Sequence, residues 1–281
     1  MNPQQTKNLI NFAFWGTPNT ASNTLQILID NGYIPSLVIT NPDKPQGRGL
    51  INTPSPTKVI AEKYNITVLT PEKIDEDFIK KFENLNLELS IVVAYGKILP
   101  EKIINIPKYG TINIHYSLLP QYRGASPVES ALLNGDTKTG VTIQKMVKKM
   151  DAGDIIATKE VNIGETIKKE YLRQILIQEG AELLIEILPL YIEHKITLIK
   201  QNETEATYCT KIQKQDGEIN LNDNPKTNYN KYRAYEHWPG VFFFKDGKRI
   251  KITKARYENN SFIIERVIPE GKKEIDFSIL K

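Results

Sequence analysis

A chain of 281 residues is long enough for two domains or one large one, and 40% hydrophobic with 25% charged residues is an ordinary content for a folded globular protein. The single cysteine, Cys209, excludes an intramolecular disulfide, which fits a reducing cytoplasm. No stretch approaches the roughly 18 apolar residues of a membrane span, so no membrane partner is expected.

The net charge of +4 is unevenly spread. From Thr207 onward 15 Lys and Arg stand against 10 Asp and Glu, a surplus of five, whereas the rest of the chain is close to neutral. An anionic partner is therefore expected for the C-terminal part; the competing reading is a solvated lysine-rich surface. Metal chemistry is not expected. There is no cysteine pair, and the three histidines, His115, His194 and His237, are far apart in sequence. The opening "MNPQQTKNLINFAFWG" has too short an apolar run for a signal peptide.

In chain order, residues 9–14 read as a short buried strand ending at Gly16-Thr17-Pro18. A helix follows with Leu25, Leu28 and Ile29 on one face, closed by Asn31-Gly32. Residues 34–40 are a second strand. A loop rich in Pro and Gly, "NPDKPQGRGLINTPSP", runs to Ser55-Pro56, where Ser as cap and Pro in the first turn open a helix. Residues 87–96 lack alternation, which predicts a strand buried on both faces, and "TINIH" at 111–115 is another. Ser126 with Glu129 three positions on predicts a capping box, and that helix stops at Asn134-Gly135. Strands at 139–146 and 154–161 flank "VKKMDAG", and residues 166–191 are helical. Alternating strands and helices predict an α/β fold with a doubly wound, mostly parallel sheet.

Near residue 200 the pattern changes. Asp246-Gly247 between β-rich flanks predicts a tight hairpin, with further short strands behind it and one helix near 225–236. The expected organisation is a domain over 1–200, then a small β-barrel domain over 207–281. Trp238 and Cys209 are expected to pack inside the latter.

Ligands of open parallel sheets sit outside the carboxyl ends of the strands. Asn113 and His115 share pleat parity, so both can face one pocket. An amide N–H and an imidazole together suit an oxygen that becomes negative during a reaction. A charged imidazole needs a carboxylate, which Asp151 or Asp154 of "MDAGD" can supply. Taken alone, Asn-x-His is also what a strand leaving a core looks like.

Taken together, "NIHYSLLPQYRGASP" and "DAGDII" closely resemble the folate-dependent formyltransferase family. The resemblance implies a Rossmann-like formyltransferase domain with Asn113, His115 and Asp151 as catalytic set. It implies a folate site lined by Ser117, Leu118, Leu119 and Pro120, and by Ala94, Tyr95 and Gly96 of "VVAYGKILP". "FAFWGTPNTAS…VITNPDKPQGRG", "ATYCTKIQKQDGEINL" and "RAYEHWPGVFFF" are similar to the branch that acts on methionyl-tRNA, and the resemblance covers nearly the whole chain. It implies 10-formyltetrahydrofolate as co-substrate, initiator methionyl-tRNA as acceptor, a monomer, and an OB-like C-terminal domain that binds tRNA. The implied tRNA contacts are Arg48, Lys245, Lys248, Arg249, Lys251 and Lys254, with Arg256 on the same hairpin. Leu50-Ile51 depart from the lysines that many relatives place there. Two alternatives stay open: an amino-sugar nucleotide as acceptor, or a binding protein without catalysis on the same scaffold.

Overall fold

A computed structural model describes residues 10–46 and 51–280. They form two compact units. The first contains the chain up to Arg123, with Gly140–Glu160 and Gln174–Ala206; the second contains Gly124–Thr139, Val161–Arg173 and the chain from Thr207.

The strands in chain order are β1 (Phe12–Gly16), β2 (Leu37–Ile39), β3 (Lys44–Gln46), β4 (Ile51–Thr53), β5 (Thr67–Leu69), β6 (Leu89–Val93), β7 (Thr111–His115), β8 (Arg123–Gly124), β9 (Lys138–Lys145) and β10 (Ile155–Asn162). Helices α1 (Asn19–Asp30), α2 (Pro56–Lys63), α3 (Glu76–Glu83), α4 (Glu101–Asn105), α5 (Pro127–Asn134) and α6 (Lys169–Ile192) alternate with them.

The first unit is built on a seven-stranded sheet of order β10-β9-β7-β6-β1-β2-β5. The run β7-β6-β1-β2-β5 is parallel, and β9 lies antiparallel to β7. All five residues of β6 are buried, which is why its sequence shows no alternation. Trp15 at the end of β1 is fully buried, with Phe82 and Tyr95 against it edge-to-face. The expected cap is present at α2, where the Ser55 hydroxyl accepts from Lys58 N–H. Because β1, β6 and β7 run parallel, the segments after their carboxyl ends (17–19, 94–96 and 116–122) all leave one edge of the sheet.

The second unit adds β11 (Tyr208–Cys209), α7 (Pro225–Ala234), β12 (Val241–Lys245), β13 (Lys248–Glu258), β14 (Ser261–Pro269) and β15 (Ile275–Asp276). The barrel-like part takes the form of an antiparallel sheet of order β12-β13-β14-β15, with a parallel bridge from Glu218 to Phe242 on its β12 side. Asp246 and Gly247 both have positive φ, 49° and 71°, the conformation of the predicted two-residue turn. Helix α7 packs on the sheet with Tyr229 and Tyr232 near Phe262, and on α5, where Asn230 Nδ2 donates to Leu133 O.

Two expectations are corrected here. Ser126 caps α5 by position, but its side chain makes no capping bond; Glu129 instead receives Arg173 Nη2 at 2.7 Å, and a guanidinium outcompetes a lone backbone N–H for a carboxylate. Trp238 is not a core residue: it is 54% exposed, whereas Tyr229, Tyr232 and Tyr235 are buried. Cys209 is half-buried, and its carbonyl accepts from Ala125 N–H.

Candidate active site

Four of the five residues of β7 are buried; the half-exposed one is Asn113. Its Nδ2 donates to Val92 O at 2.9 Å. Since a carbonyl can only accept, this contact fixes which end of the amide is nitrogen. The Oδ1 therefore faces Gln144, whose Nε2 stands 3.3 Å away. Gln144 is the cross-strand register partner of Asn113 on β9, and directly opposed residues share a face of the sheet. The same Nε2 donates to Asp151 Oδ1 at 2.9 Å. Gln144 Oε1 is buried with no hydrogen-bond partner among the described residues. A buried orphan acceptor ordinarily costs about 1–3 kcal/mol, so the two acceptors facing Nε2 must hold this orientation.

His115 is two residues on and buried. Its Nε2 lies 2.9 Å from Tyr122 O and must carry the proton there. The other nitrogen, Nδ1, is 3.7 Å from Asp151 Oδ1, beyond direct hydrogen-bond distance. Of the two carboxylates that the sequence left open, Asp151 is the one at His115; Asp154 lends its backbone carbonyl to Lys145 N–H.

Asp151 occupies left-handed backbone space, φ 49°, which a non-glycine residue adopts only when its surroundings impose it. Two features impose it. Gly153 passes so close to β9 that a Cβ there would stand 1.6 Å from Lys145 O. In addition, Gln201 Nε2 donates to both Asp151 O and Gly153 O, at 2.9 and 2.7 Å. Gln201 is in turn gripped by Arg123, whose Nε and Nη2 donate to Oε1 at 3.0 and 2.8 Å. The Arg123 side chain is fully buried and also pairs with Glu203 at 2.9 Å. Hydrogen bonds from Arg123 and Lys149 hold the Glu203 carboxyl down at about 2. Gln144, Gln201 and the anchoring part of Arg123 were not found from the sequence. Only strand register and a contact 50 residues long in the chain reveal the two glutamines.

The Ser117–Pro120 corner is tied to β9: Leu119 N–H donates to Thr142 Oγ1, whose hydroxyl donates to Ser117 O. Ser117 and Leu119 are buried, so Leu118 and Pro120 supply its accessible surface; the Leu119–Pro120 peptide is cis. After β6, Ala94 and Gly96 point outward with positive φ. The Tyr95 ring instead lies in the core, and burial pushes its hydroxyl up to about 12. What Tyr95 offers is a backbone carbonyl that accepts from Asn41 Nδ2 at 2.9 Å and Thr17 Oγ1 at 3.2 Å. A cavity of about 310 Å³ opens at these residues, lined by Thr17, Asn41, Lys44 and Ser55 among others.

Of the basic residues expected at tRNA, Arg48 lies outside the described residues. Lys248 is exposed at the hairpin tip. The Arg249 guanidinium lies 3.9 Å over the Phe242 ring, and Lys251 is half-buried. Lys245 Nζ donates to Leu280 O, Lys254 pairs with Glu265 at 2.8 Å, and Arg256 pairs with Glu258 and Glu265. Among the described residues there is no group of three His, Cys, Asp or Glu able to hold a metal ion, and no helix long and apolar enough to cross a membrane.

The described residues thus combine a Rossmann-like, mostly parallel sheet, with Asn113, His115 and Asp151 gathered at the end of β7, and an antiparallel sheet in the second unit. The chain matches the formyl transferase model over residues 8–188 and the formyl transferase C-terminal domain model over 211–278. It belongs to the formyl transferase family. A methionyl-tRNA formyltransferase from a Sulfurihydrogenibium species is 44% identical over 245 residues, covering 86% of this chain and 79% of that one. A second, from Caldicellulosiruptor saccharolyticus, is 43% identical over 86% and 78%. Among solved structures, a methionyl-tRNA formyltransferase from Clostridium thermocellum superposes with a TM-score of 0.62 at 19% identity, covering 95% of this chain and all of that one. An N-formyltransferase from Helicobacter canadensis in complex with folinic acid and dTDP-3-aminofucose gives 0.66 at 19% identity, over 91% and 95%. At these identities the solved structures bear on the fold alone.

Proposed function

We propose that the chain transfers the formyl group of 10-formyltetrahydrofolate to the α-amino group of methionyl-tRNA, giving the N-formylated initiator. One observation carries the assignment: Asn113, His115 and Asp151 gather on one face at the end of β7, in a formyl transferase chain 44% identical to a methionyl-tRNA formyltransferase. Residues 1–200 serve as the catalytic domain and 207–281 as the tRNA-binding domain. The protein works as a monomer in the cytoplasm and uses no metal.

The α-amino group must attack as the free base, and with a pKa of about 7.7–8.0 a usable fraction is neutral near pH 7. Its nitrogen bonds to the formyl carbon, and the carbonyl oxygen becomes an oxyanion. Asn113 has one N–H committed to Val92 O, so its second N–H is the donor for that oxygen. His115 stands beside it, with its Nδ1 3.7 Å from the Asp151 carboxylate. The C–N10 bond then breaks. The proton lost by the amine reaches the departing nitrogen through His115, Asp151 or a bridging water. Ser117–Pro120 and the outward Ala94 and Gly96 border the folate, and the basic residues of the β12–β13 hairpin contact tRNA phosphates.

The test is formylation by the purified chain, with charged initiator tRNA and dTDP-amino sugars compared side by side under one formyl donor. Formylmethionyl-tRNA as the product supports the assignment. Turnover confined to the amino sugar would replace it by the first alternative, and no turnover with either acceptor would leave a binding protein.

A further inference from the structure

We propose that Gln144 is a positioning residue for this transfer, orienting Asn113 and Asp151 together through a single amide nitrogen. The inference rests on the function proposed above and extends it to a buried residue behind Asn113 and Asp151.

The carbonyl of Val92 takes one N–H of Asn113, so Asn113 Oδ1 must face Gln144. Asp151 presents a second acceptor to the same Gln144 nitrogen. An Nε2 group has two N–H bonds, and here each has one acceptor. Rotating the Gln144 amide by half a turn would set Oε1 against two oxygens, a carbonyl and a carboxylate. Gln144 is 2% exposed, so water cannot relieve that clash. The amide is therefore fixed in one sense, and it fixes its partners. Asn113 cannot flip, and its uncommitted N–H keeps the direction that an oxyanion donor needs. The Asp151 carboxylate is held with Oδ1 toward His115 Nδ1. Gln201 holds the backbone carbonyl of Asp151, and Gln144 holds its carboxylate.

The test uses full-length protein with Gln144→Met, which keeps length and removes both donors, and Gln144→Glu, which keeps shape and places an acceptor where the donors were. For each, kcat, the KM for methionyl-tRNA and the KM for the formyl donor are measured, with thermal stability. The same Met substitution is repeated in an Asp151→Asn background. The expected result is a kcat lower by about 10–10²-fold, the scale of a 1 Å misplacement, with both KM values changed less than about threefold. In the Asp151→Asn background the Met substitution adds less than about threefold, because two residues acting as one unit are not additive. Wild-type kcat in both Gln144 variants, an undiminished loss on top of Asp151→Asn, or failure of both variants to fold would overturn the proposal. The underlying reading fails separately: if Asn113→Ala and Asp151→Asn themselves turn over normally, the catalytic assignment is lost, whereas full loss in those two with intact Gln144 variants removes only Gln144.

Discussion

Asn113 is the one residue of β7 that reaches out of the core, and its remaining N–H is what the reaction would use. Replacing it by Ala should lower kcat by about 10²–10³, the cost of one oxyanion donor. Asp151→Ala should lose at least as much, and both proteins should melt within a few degrees of wild type; steady-state formylation and calorimetry check this. Glu203 bears on pH instead. Its carboxyl is held at about 2, below its ordinary 4.5, by Arg123 and Lys149. A depressed carboxylate contributes stability that is complete above the ordinary value and is lost as pH falls toward the folded one. The difference in Tm between wild type and Glu203→Gln should thus be constant above about pH 5 and shrink on acidification toward 3. Pleat parity made Asn113 and His115 legible from the chain, and the family motif added Asp151. Gln144 and Gln201 were not legible, because one depends on the register of β7 with β9 and the other on a contact across 50 residues. Trp238 reads as core because it is a large aromatic in a small domain, yet it is exposed while Tyr229, Tyr232 and Tyr235 are buried.

Among the elements, those with a local cause were readable. The uniform "LSIVV" of β6, the Ser55-Pro56 start of α2 and the Asp246-Gly247 turn each name their own structure. The capping box at Ser126 has an equally local signature and does not form; Arg173, 44 residues beyond Glu129, takes that glutamate. The hairpin β12–β13 shows how context sorts equal charges. If it contacts tRNA phosphates, Lys248→Ala or Lys251→Ala should reduce the slope of log affinity against log salt by about 1 each. Lys254→Ala should change it less, since Glu265 already neutralises that ammonium at 2.8 Å. Fluorescence anisotropy of labelled tRNA across a salt series measures both, and equal slopes for all three variants would remove the hairpin from the interface.

For the molecule as a whole, the chain enters the second unit three times, at Gly124–Thr139, Val161–Arg173 and from Thr207. Within that unit α7 covers α5, and Arg233 reaches Gly164 O and Ile167 O. Cutting the chain before Thr207 would leave α5, whose Val128, Ala131 and Leu132 are buried, without the helix that packs against it. Such a truncation should aggregate or melt at a markedly lower temperature than full-length protein, checked by size-exclusion chromatography and thermal scanning. Loss of activity on truncation would therefore not by itself report lost RNA contacts, and point substitutions on the hairpin are the cleaner probe.

The two tryptophans of the chain sit in opposite surroundings and in different units: Trp15 is sealed inside the first and Trp238 stands 54% open on the second. The untouched protein thus carries its own pair of optical reporters. Iodide should extinguish the red-edge emission of Trp238 and spare the blue emission of Trp15, so melting can be followed in each half of the molecule without attaching a dye.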